Sequence, residues 1–409
     1  MRMKILSAAV LAGCAGATTA VAADLGENTT VGGRVFFDVS HISLQNQNAA
    51  GAYINVAPTG TGFDVKRFYL SVDHKFSDVW SADLTTDAQF ATASTATVST
   101  PGGGTATALT NQNTSGGVTE VMIKKLYLEG KFDNLFVLHI GSYDMPWDPF
   151  VEGLYGYRWV EKTFTDRLGF SQTTDWGLNV GGTGGGHGMF SYSASVVNGG
   201  GYKNPTRTKD VDFEGRVSIK PVDWLTAGVG FQSGHLGQIT ASNESFPTNT
   251  ASRFDAAVGV NKSGFRVGGE YFQAKNYKTV NSLAASVFGT SSVVGGAATA
   301  VPATDKAEGF SSWVSYAFPN SWNVFGRYDS TKLSKDVASD LKDTYFNLGV
   351  GFKPIKQLDF ALVYKNEKVD NGSTTISGGD ANDSYTIGGA NGTRSGKFDE
   401  IGLYAQWQF

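Results

Sequence analysis

The sequence predicts an all-β fold: an antiparallel transmembrane β-barrel of about 16 strands, with short periplasmic turns and long external loops. Three observations predict it. The chain begins with a secretory leader, segments of about ten residues alternate apolar and polar side chains, and the connections alternate between short and long. Glycine is abundant at 52 residues and proline scarce at 10, and no linker divides the chain, so one large β-domain is expected.

The N-terminus has the three parts of a secretory signal peptide. Residues 1–4 are basic, an apolar run starts at Ile5, and residues 20–22 (Ala-Val-Ala) offer a small-residue cleavage site. We therefore predict a signal peptide over residues 1–22 and a single barrel domain over residues 23–409. Such a leader sends the chain out of the cytoplasm, as insertion into the outer membrane of a Gram-negative bacterium requires.

A second cleavage site competes with the first. Residues 11–14 (Leu-Ala-Gly-Cys) fit the lipobox at which bacterial lipoproteins are cut and acylated on cysteine. If cleavage instead follows Ala22, the only cysteine is removed, and disulfide and thiol chemistry are excluded. The formal net charge of −4 comes with no concentrated basic patch, so no nucleic-acid partner is expected.

Alternating side chains mark the strands. In residues 210–220, Val211 and Phe213 share one face, whereas Asp212 and Glu214 share the other, which is the period-2 pattern of a strand with one apolar face. The same pattern predicts strands near residues 30–42, 64–76, 79–91, 120–132, 135–143, 172–182, 188–198, 209–220, 223–234, 252–262, 265–275, 306–318, 322–330, 343–353, 357–368 and 397–409.

Short and long connections alternate along the chain, so each kind lies at one end of the predicted barrel. This is typical of outer-membrane barrels, whereas nothing in a soluble barrel requires it. An even strand number also places both termini of the chain on the periplasmic side. The long connections are polar or rich in Gly, Ala, Ser and Thr, and include residues 92–119, 144–171, 276–305 and 369–396. The short connections are residues 77–78, 133–134, 183–187, 221–222, 263–264, 319–321 and 354–356.

Aromatic residues gather beside the short turns, where rings with a polar edge form a girdle at a membrane interface. The last strand alternates in the same way and carries Trp407 and Phe409. A final phenylalanine on such a strand resembles the signal by which outer-membrane barrels are recognised for assembly, and these two residues are its predicted carriers. The girdle residues are Phe76, Trp80, Phe132, Phe136, Trp224, Phe265, Phe318 and Trp322.

Short motifs resemble one porin family. Residues 65–70 (Val-Lys-Arg-Phe-Tyr-Leu) nearly repeat as residues 123–128 (Ile-Lys-Lys-Leu-Tyr-Leu), and Gly141-Ser142-Tyr143-Asp144-Met145-Pro146-Trp147 follows the second copy. Together with Asn198-Gly199 these motifs resemble the phosphate-selective (O and P type) porins. The resemblance implies a 16-stranded barrel, a homotrimer, and a third loop that narrows the channel, here residues 144–171.

This loop is predicted to set both the width and the electric field of a pore, because it is the connection richest in aromatic residues and also carries charges. The alternative is a surface flap whose charges are merely solvated. By strand parity and loop membership, the predicted pore-lining and constriction residues are Arg34, Arg67, Lys75, Lys125, Glu129, Asp148, Arg158, Glu161, Lys162, Arg216, Arg266 and Arg327.

The predicted lumen is mixed in charge, since carboxylates such as Asp87, Glu214 and Asp329 share the inward faces with these basic residues. Mixed charge favours passive diffusion of small polar solutes or ions with weak selectivity over a phosphate ladder. An adhesin or structural anchor, or a phosphate or anion channel, remains an alternative. Expected partners are outer-membrane lipid, the solutes, and further copies of the chain.

No catalytic or metal constellation is predicted, and no cofactor. The five histidines are scattered, and none forms an i, i+4 pair. The glycine run at residues 181–186 lacks the Lys-Ser/Thr of a phosphate-binding loop, so a flexible turn is expected there. An enzyme is therefore not expected.

Overall fold

The structure is a computed structural model that describes residues 23–24, 26–91, 95–99, 105–109, 118–205, 207–238, 250–277, 304–377, 384–389 and 394–409. The predicted signal peptide and the lipobox lie outside these residues. One sheet contains 17 strands: the two-residue strand Ala23–Asp24 and sixteen longer ones.

The sixteen longer strands match the predicted ones closely. They are β1 Thr29–Gln47, β2 Tyr53–Lys75, β3 Trp80–Ala91, β4 Val118–Lys131, β5 Val137–Asp144, β6 Thr174–Gly184, β7 Phe190–Val197, β8 Asp212–Val222, β9 Leu225–Gly234, β10 Ala251–Lys262, β11 Phe265–Lys275, β12 Lys306–Ala317, β13 Trp322–Lys332, β14 Lys342–Ile355, β15 Leu358–Asp370 and β16 Gly396–Gln408.

The sheet closes on itself. Each strand pairs antiparallel with the next, and β1 pairs with β16 from Arg34 opposite Gln408 to Asn46 opposite Gly396. Closure gives each of these sixteen strands a partner on both sides, so the barrel has no edge strand. The prediction of a closed antiparallel barrel of 16 strands is confirmed.

The predicted glycine turn at residues 183–187 lies two residues too early, because β6 continues to Gly184. The same is true of the two predicted turns that begin with Pro221 and Pro354. Residues 221–222 and 354–355 still belong to β8 and β14, and the turns follow at residues 223–224 and 356–357. In both strands the register shifts just before the turn, at Ile219/Val222 and at Phe352/Ile355. A proline without an N–H can remain in a strand at such an irregularity, so here it does not mark the turn itself.

The connections at the other end of the barrel are long, with one exception. β1 and β2 continue as a hairpin joined by residues 48–52, with register shifts at Phe36/Phe37 and Ile42/Leu44, so the first external connection is short. Two further hairpins belong to long connections: Thr95–Ser99 with Thr105–Leu109, and Ser373–Ser377 with Ser384–Gly388.

The two faces of the barrel wall differ in polarity. Large apolar side chains such as Phe63, Val121 and Leu348 are exposed on the outer face, whereas charged residues such as Asp255 and Asp329 are buried inside. At the short turns the predicted girdle rings are exposed and touch, for example Trp80 and Phe132 with centroids 5.7 Å apart. An apolar outside and a polar inside define a transmembrane barrel of the outer-membrane type.

No helix in the described part of the chain is both long and apolar enough to cross a membrane.

Candidate functional site

The connection between β5 and β6, residues 145–173, lies inside the barrel and is called the inner loop below. It contains α1 Asp148–Tyr155 and the single turn α2 Phe164–Arg167. Pro149 stands in the first turn of α1, where its missing N–H costs nothing, and Gly156 ends the helix in the left-handed region with φ 81°. The alternative of a surface flap is therefore wrong.

An aromatic anchor holds the start of the inner loop. The Trp147 side chain is 0% exposed; its backbone N–H donates to Glu214 at 2.9 Å, and its indole N–H donates to Glu270 at 2.8 Å. Its ring packs in a cluster with Val151 and Trp313. Burying a large ring while both donors bind carboxylates makes Trp147 a fixed point of the loop.

A guanidinium fixes the far end of the loop. Arg167 forms salt bridges to Asp343 at 2.9 Å, to Glu367 at 2.5 Å and to Asp329 at 3.4 Å. Its plane lies 4.3 Å from the ring of Tyr345. Three carboxylates from the successive strands β13, β14 and β15 thus converge on one arginine. Without it, Asp343 and Glu367 would lose their paired cation, whereas Asp329 would keep Arg327 at 2.6 Å.

Glu161 provides a third anchor. Its carboxylate lies 3.2 Å from the Lys365 ammonium, which also contacts Glu400 at 3.2 Å. Burial alone would raise the pKa of Glu161, but the positive charges of Lys365 and Lys66 lower that pKa to about 2. Because the folded pKa lies below the ordinary value, this anchor stabilises the loop at neutral and mildly acidic pH. Its contribution is lost only as the pH falls toward 2.

Three predicted constriction residues serve the packing of the loop instead. Asp148 is 0% exposed and accepts hydrogen bonds from Thr163 at 2.9 Å and from Ser171 at 2.7 Å. Burial, followed by the nearby charge of Asp166, raises the pKa of Asp148 well above its ordinary value. Arg327 is 4% exposed, donates to the Lys162 carbonyl and pairs with Asp329. Like Glu161, these groups hold the loop and offer a solute little surface, which corrects their assignment as lining.

The loop is anchored to one side of the barrel. Its ionic and apolar contacts run from Glu214 on β8 through β10–β16 to Phe36 on β1, and Tyr69 on β2 packs against the same apolar cluster. Strands β2–β7 form the opposite wall, and two cavities of about 440 Å³ and about 550 Å³ lie along it toward the short turns. The lumen that remains open is therefore bounded by the loop on one side and by β2–β7 on the other.

Two β-bulges turn pairs of basic residues into this lumen. The near-repeat places Lys66-Arg67 on β2 and Lys124-Lys125 on β4, and the register skips Lys66 and Lys124 in the two ladders. A bulge puts two consecutive residues opposite one, so both side chains of each pair point inward. Strict alternation assigns Lys66 and Lys124 to the outer face, so they were not predicted as inward-facing residues.

Five basic residues face each other between the wall and the loop, and they are called the basic cluster: Arg67, Lys124, Arg158, Lys162 and Lys203.

Three carboxylates partly neutralise the basic cluster. Arg67 lies 3.6 Å from Asp87, Arg158 lies 2.8 Å from Glu152, and Lys162 lies 3.6 Å from Asp166. The Lys124 ammonium donates to the Tyr69 hydroxyl at 3.4 Å and lies 4.6 Å from its ring centroid. Five cations therefore meet three carboxylates, which leaves a local excess of positive charge.

Lys203 is the exposed member of this cluster and lies in the connection between β7 and β8. Partial burial, together with the positive charges of Arg67 and Lys162, lowers the pKa of Lys203 to about 8. Its charge is thus present at neutral pH and is lost in mildly alkaline solution.

The remaining predicted lining residues are spread along the barrel. Lys125 pairs with Asp144 at 2.5 Å, and Glu129 contacts His139 at 3.1 Å. Arg266 donates to the Gly153 carbonyl at 3.3 Å beneath α1. Arg34 is exposed on the inward face of β1, toward the short-turn end.

Lys75 belongs to a turn and not to the constriction. It pairs with Asp78 at 2.9 Å across the first short turn, where both side chains are exposed. The two residues are three apart in sequence, and the hairpin turn brings their side chains into contact. Strand parity alone does not predict this contact.

Phe409 and Trp407, the predicted assembly residues, lie where β16 meets β1. Phe409 donates its N–H to the Gly33 carbonyl at 3.0 Å and accepts from the Gly33 N–H at 2.9 Å. A Cβ on Gly33 would lie 2.3 Å from the Phe409 ring, so only glycine leaves room for that ring. The Trp407 and Phe409 rings pack with centroids 4.8 Å apart.

A closed barrel with an apolar outside, a polar inside and a folded-in third loop belongs, by its architecture, to the porin type of fold. The sequence matches no protein-family model and no curated protein.

Solved structures share this fold. The anion-selective porin from Comamonas acidovorans has a TM-score of 0.56 and 12% identity, over 93% of this chain and 99% of that one. The outer membrane protein OmpT of Vibrio cholerae, in a trimer form, has a TM-score of 0.54 and 12% identity, over 93% and 99%. The outer membrane channel DcaP of Acinetobacter baumannii has a TM-score of 0.52 and 12% identity, over 95% and 100%. The resemblance to phosphate-selective porins stays a prediction.

Proposed function

We propose that this chain forms a water-filled pore in the outer membrane of a Gram-negative bacterium, through which small polar solutes and ions diffuse passively. The observation that carries the proposal is the one-sided anchoring of the inner loop. A loop fixed to β8–β16 and β1 narrows the lumen without filling it, since polar cavities remain along β4–β8. Charges on the two sides of such a gap set the electric field that a passing ion meets.

The excess charge of the basic cluster supports a modest preference for anions. Each of its arginines is partly neutralised by a carboxylate, so the cluster is weaker than a continuous row of free cations. A strongly phosphate-selective channel is therefore the less favoured candidate. A neighbour in fold is described as an anion-selective porin, which agrees with the preference but does not establish it for this chain.

A homotrimer is the proposed assembly. The outer face of the barrel exposes apolar side chains all around, and part of that surface can pack against a second copy as readily as against lipid. One neighbour in fold is described in a trimer form. Electrophoresis of unheated and heated samples would distinguish a trimer from a monomer by their migration.

Single-channel recording in planar lipid bilayers tests the pore. We expect stepwise conductance in KCl and, in a salt gradient, a reversal potential displaced modestly toward the value for chloride. A correctly folded barrel that gives no conductance would overturn the pore and favour an adhesin or a structural anchor. A reversal potential at the ideal anion value would instead favour a specific anion channel.

A further inference from the structure

Arg216 differs from five of the other arginines inside the barrel. Arg67, Arg158, Arg167, Arg253 and Arg327 all lie within 4 Å of a carboxylate. Arg216 instead donates only to neutral oxygens: the Pro146 carbonyl at 2.9 Å, Ser218 at 2.6 Å and Ser191 at 3.2 Å. In the described part of the chain no carboxylate is paired with it. Its positive charge is therefore not neutralised locally.

The guanidinium is held rigidly although it is not neutralised. Its plane lies 4.7 Å from the ring of Phe150, at the start of α1, and the bond to Pro146 ties it to the inner loop. A charged group that is oriented in advance loses little side-chain entropy when a ligand binds.

Open space adjoins this guanidinium. The cavities of about 440 Å³ and about 550 Å³ are both lined by Arg216, and they share Tyr143, Thr183 and Ser193 as well. They therefore meet at Arg216, on the short-turn side of the inner loop. Their volumes fall within the range of about 300–1,000 Å³ that is typical of small-molecule sites.

The wall beside the guanidinium is rich in neutral hydroxyl and amide groups, and Ser193 is the cross-strand neighbour of Arg216. Ser193 accepts a hydrogen bond from the Asn179 amide at 2.9 Å, and Tyr143 stacks on His139 with centroids 3.5 Å apart. Both acidic residues of the cavities are already engaged, Glu129 with His139 and Asp144 with Lys125. Gly181 places no side chain in this space, which gives the glycine run a role beyond a flexible turn.

We propose that this cavity, called the Arg216 site, binds a small hydroxylated carboxylate, such as a sugar acid, on the periplasmic side of the inner loop. The carboxylate binds Nη2 of Arg216, since Nε and Nη1 already donate to Pro146, Ser191 and Ser218. The hydroxyl groups of the solute bind Ser193 and Thr183. Lys131 and Lys220, which line the two cavities, attract the anion. The inference builds on the proposed pore but concerns binding, which is measured independently of conduction.

Isothermal titration calorimetry on the detergent-solubilised protein tests the site with sodium gluconate, acetate, glucose and phosphate as probes. We expect gluconate to bind more tightly than acetate, because only gluconate uses both the guanidinium and the hydroxyl wall, and we expect glucose not to bind. Phosphate binding as tightly as gluconate would overturn the assigned class. The absence of gluconate binding would overturn the site, even if the protein conducts ions.

Three variants separate the site from folding. Arg216→Gln should weaken gluconate binding at least about tenfold, since the charge is lost while a donor remains. Ser193→Ala, which removes no hydrogen bond of the Arg216 guanidinium, should weaken gluconate several-fold and leave acetate unchanged. Arg34→Gln is the matched control, because it removes an exposed lumen arginine away from the cavities and should leave both affinities unchanged. Equal gluconate affinity in all three variants would overturn the proposal.

Conduction supplies a second readout. Gluconate added on the short-turn side should reduce the chloride current, and the Arg216→Gln variant should relieve that reduction. A protein that conducts but binds no gluconate refutes the Arg216 site alone, whereas one that binds gluconate but does not conduct refutes the pore alone.

Discussion

Single charged residues divide into two groups according to what faces them. Arg167 and Glu161 are buried among opposite charges on the barrel wall and hold the inner loop. Members of the basic cluster lie between the loop and the wall, and one of them, Lys203, is exposed. Substitutions in the first group should therefore affect the order of the loop, and those in the second should affect the choice of ion.

Replacing Arg167 with glutamine should loosen the inner loop. The change leaves Asp329, Asp343 and Glu367 without their shared partner, and breaking a buried pair typically costs about 3–5 kcal/mol. We expect a noisier open-channel current and a lower temperature of unfolding. Lys335→Gln is the control, because it removes only a partly exposed pair with Glu308 and should change neither quantity. Identical current noise in the two variants would contradict the anchoring role.

The low pKa of Lys203 gives the pore a pH dependence. Its ammonium is charged below about pH 8 and neutral above it, so anion preference should decline from about pH 7 to about pH 9. The reversal potential in a KCl gradient measures this preference. At both pH values, Lys203→Gln should show the weak anion preference that the wild type has at high pH. Lys203→Arg should keep the stronger preference that the wild type has at low pH. A wild-type preference that does not change over this interval would show that Lys203 does not face the ion path.

At the scale of elements, the inner loop is the unit that sets the width of the pore. Deleting residues 146–168 removes α1 and α2 together with Trp147 and Arg167, and water then fills the space they occupied. Single-channel conductance should rise at least about twofold, because the narrowest section controls the current. Deleting Ala49 and Ala50, which are exposed in the external connection between β1 and β2, is the control and should leave conductance unchanged. Unchanged conductance after the larger deletion would exclude the loop as the constriction.

The sequence predicted the strands well because alternation is a local signal that the barrel imposes on every strand. It predicted the inward loop only through its aromatic content and a family resemblance. It missed Lys66 and Lys124 because a bulge breaks parity, and the dibasic near-repeat was the signal for finding them. It mistook Asp148 and Arg327 for lining because burial within a folded loop depends on contacts between residues distant in sequence.

At the scale of the whole molecule, the pairing of β1 with β16 closes the barrel. The Phe409 ring sits over Gly33 at this junction. Deleting Phe409 should lower the yield of assembled, heat-resistant oligomer several-fold, whereas Phe409→Tyr, which keeps the ring, should assemble normally. The intensity of the oligomer band in electrophoresis of unheated samples measures the yield. Normal assembly without Phe409 would argue against its role as a signal.

Gly33→Val tests the same junction from the other strand. A Cβ there would lie 2.3 Å from the Phe409 ring and 2.8 Å from the Tyr69 carbonyl, so the ring must move. The yield should fall in the same direction as for the deletion. A normal yield in Gly33→Val together with a low yield in the deletion would show that assembly requires Phe409 itself and not its packing against Gly33.

The one-sided attachment of the inner loop also has an evolutionary consequence. Residues that hold the loop lie on β8–β16 and β1, so they can change only in matched sets, as with Arg167 and its three carboxylates. Residues such as Thr183 and Ser193, on the wall that the loop leaves free, can be exchanged one at a time without loss of the scaffold. Descendants of this chain should therefore acquire new solutes by drift of β4–β7, while the other half of the barrel stays nearly constant.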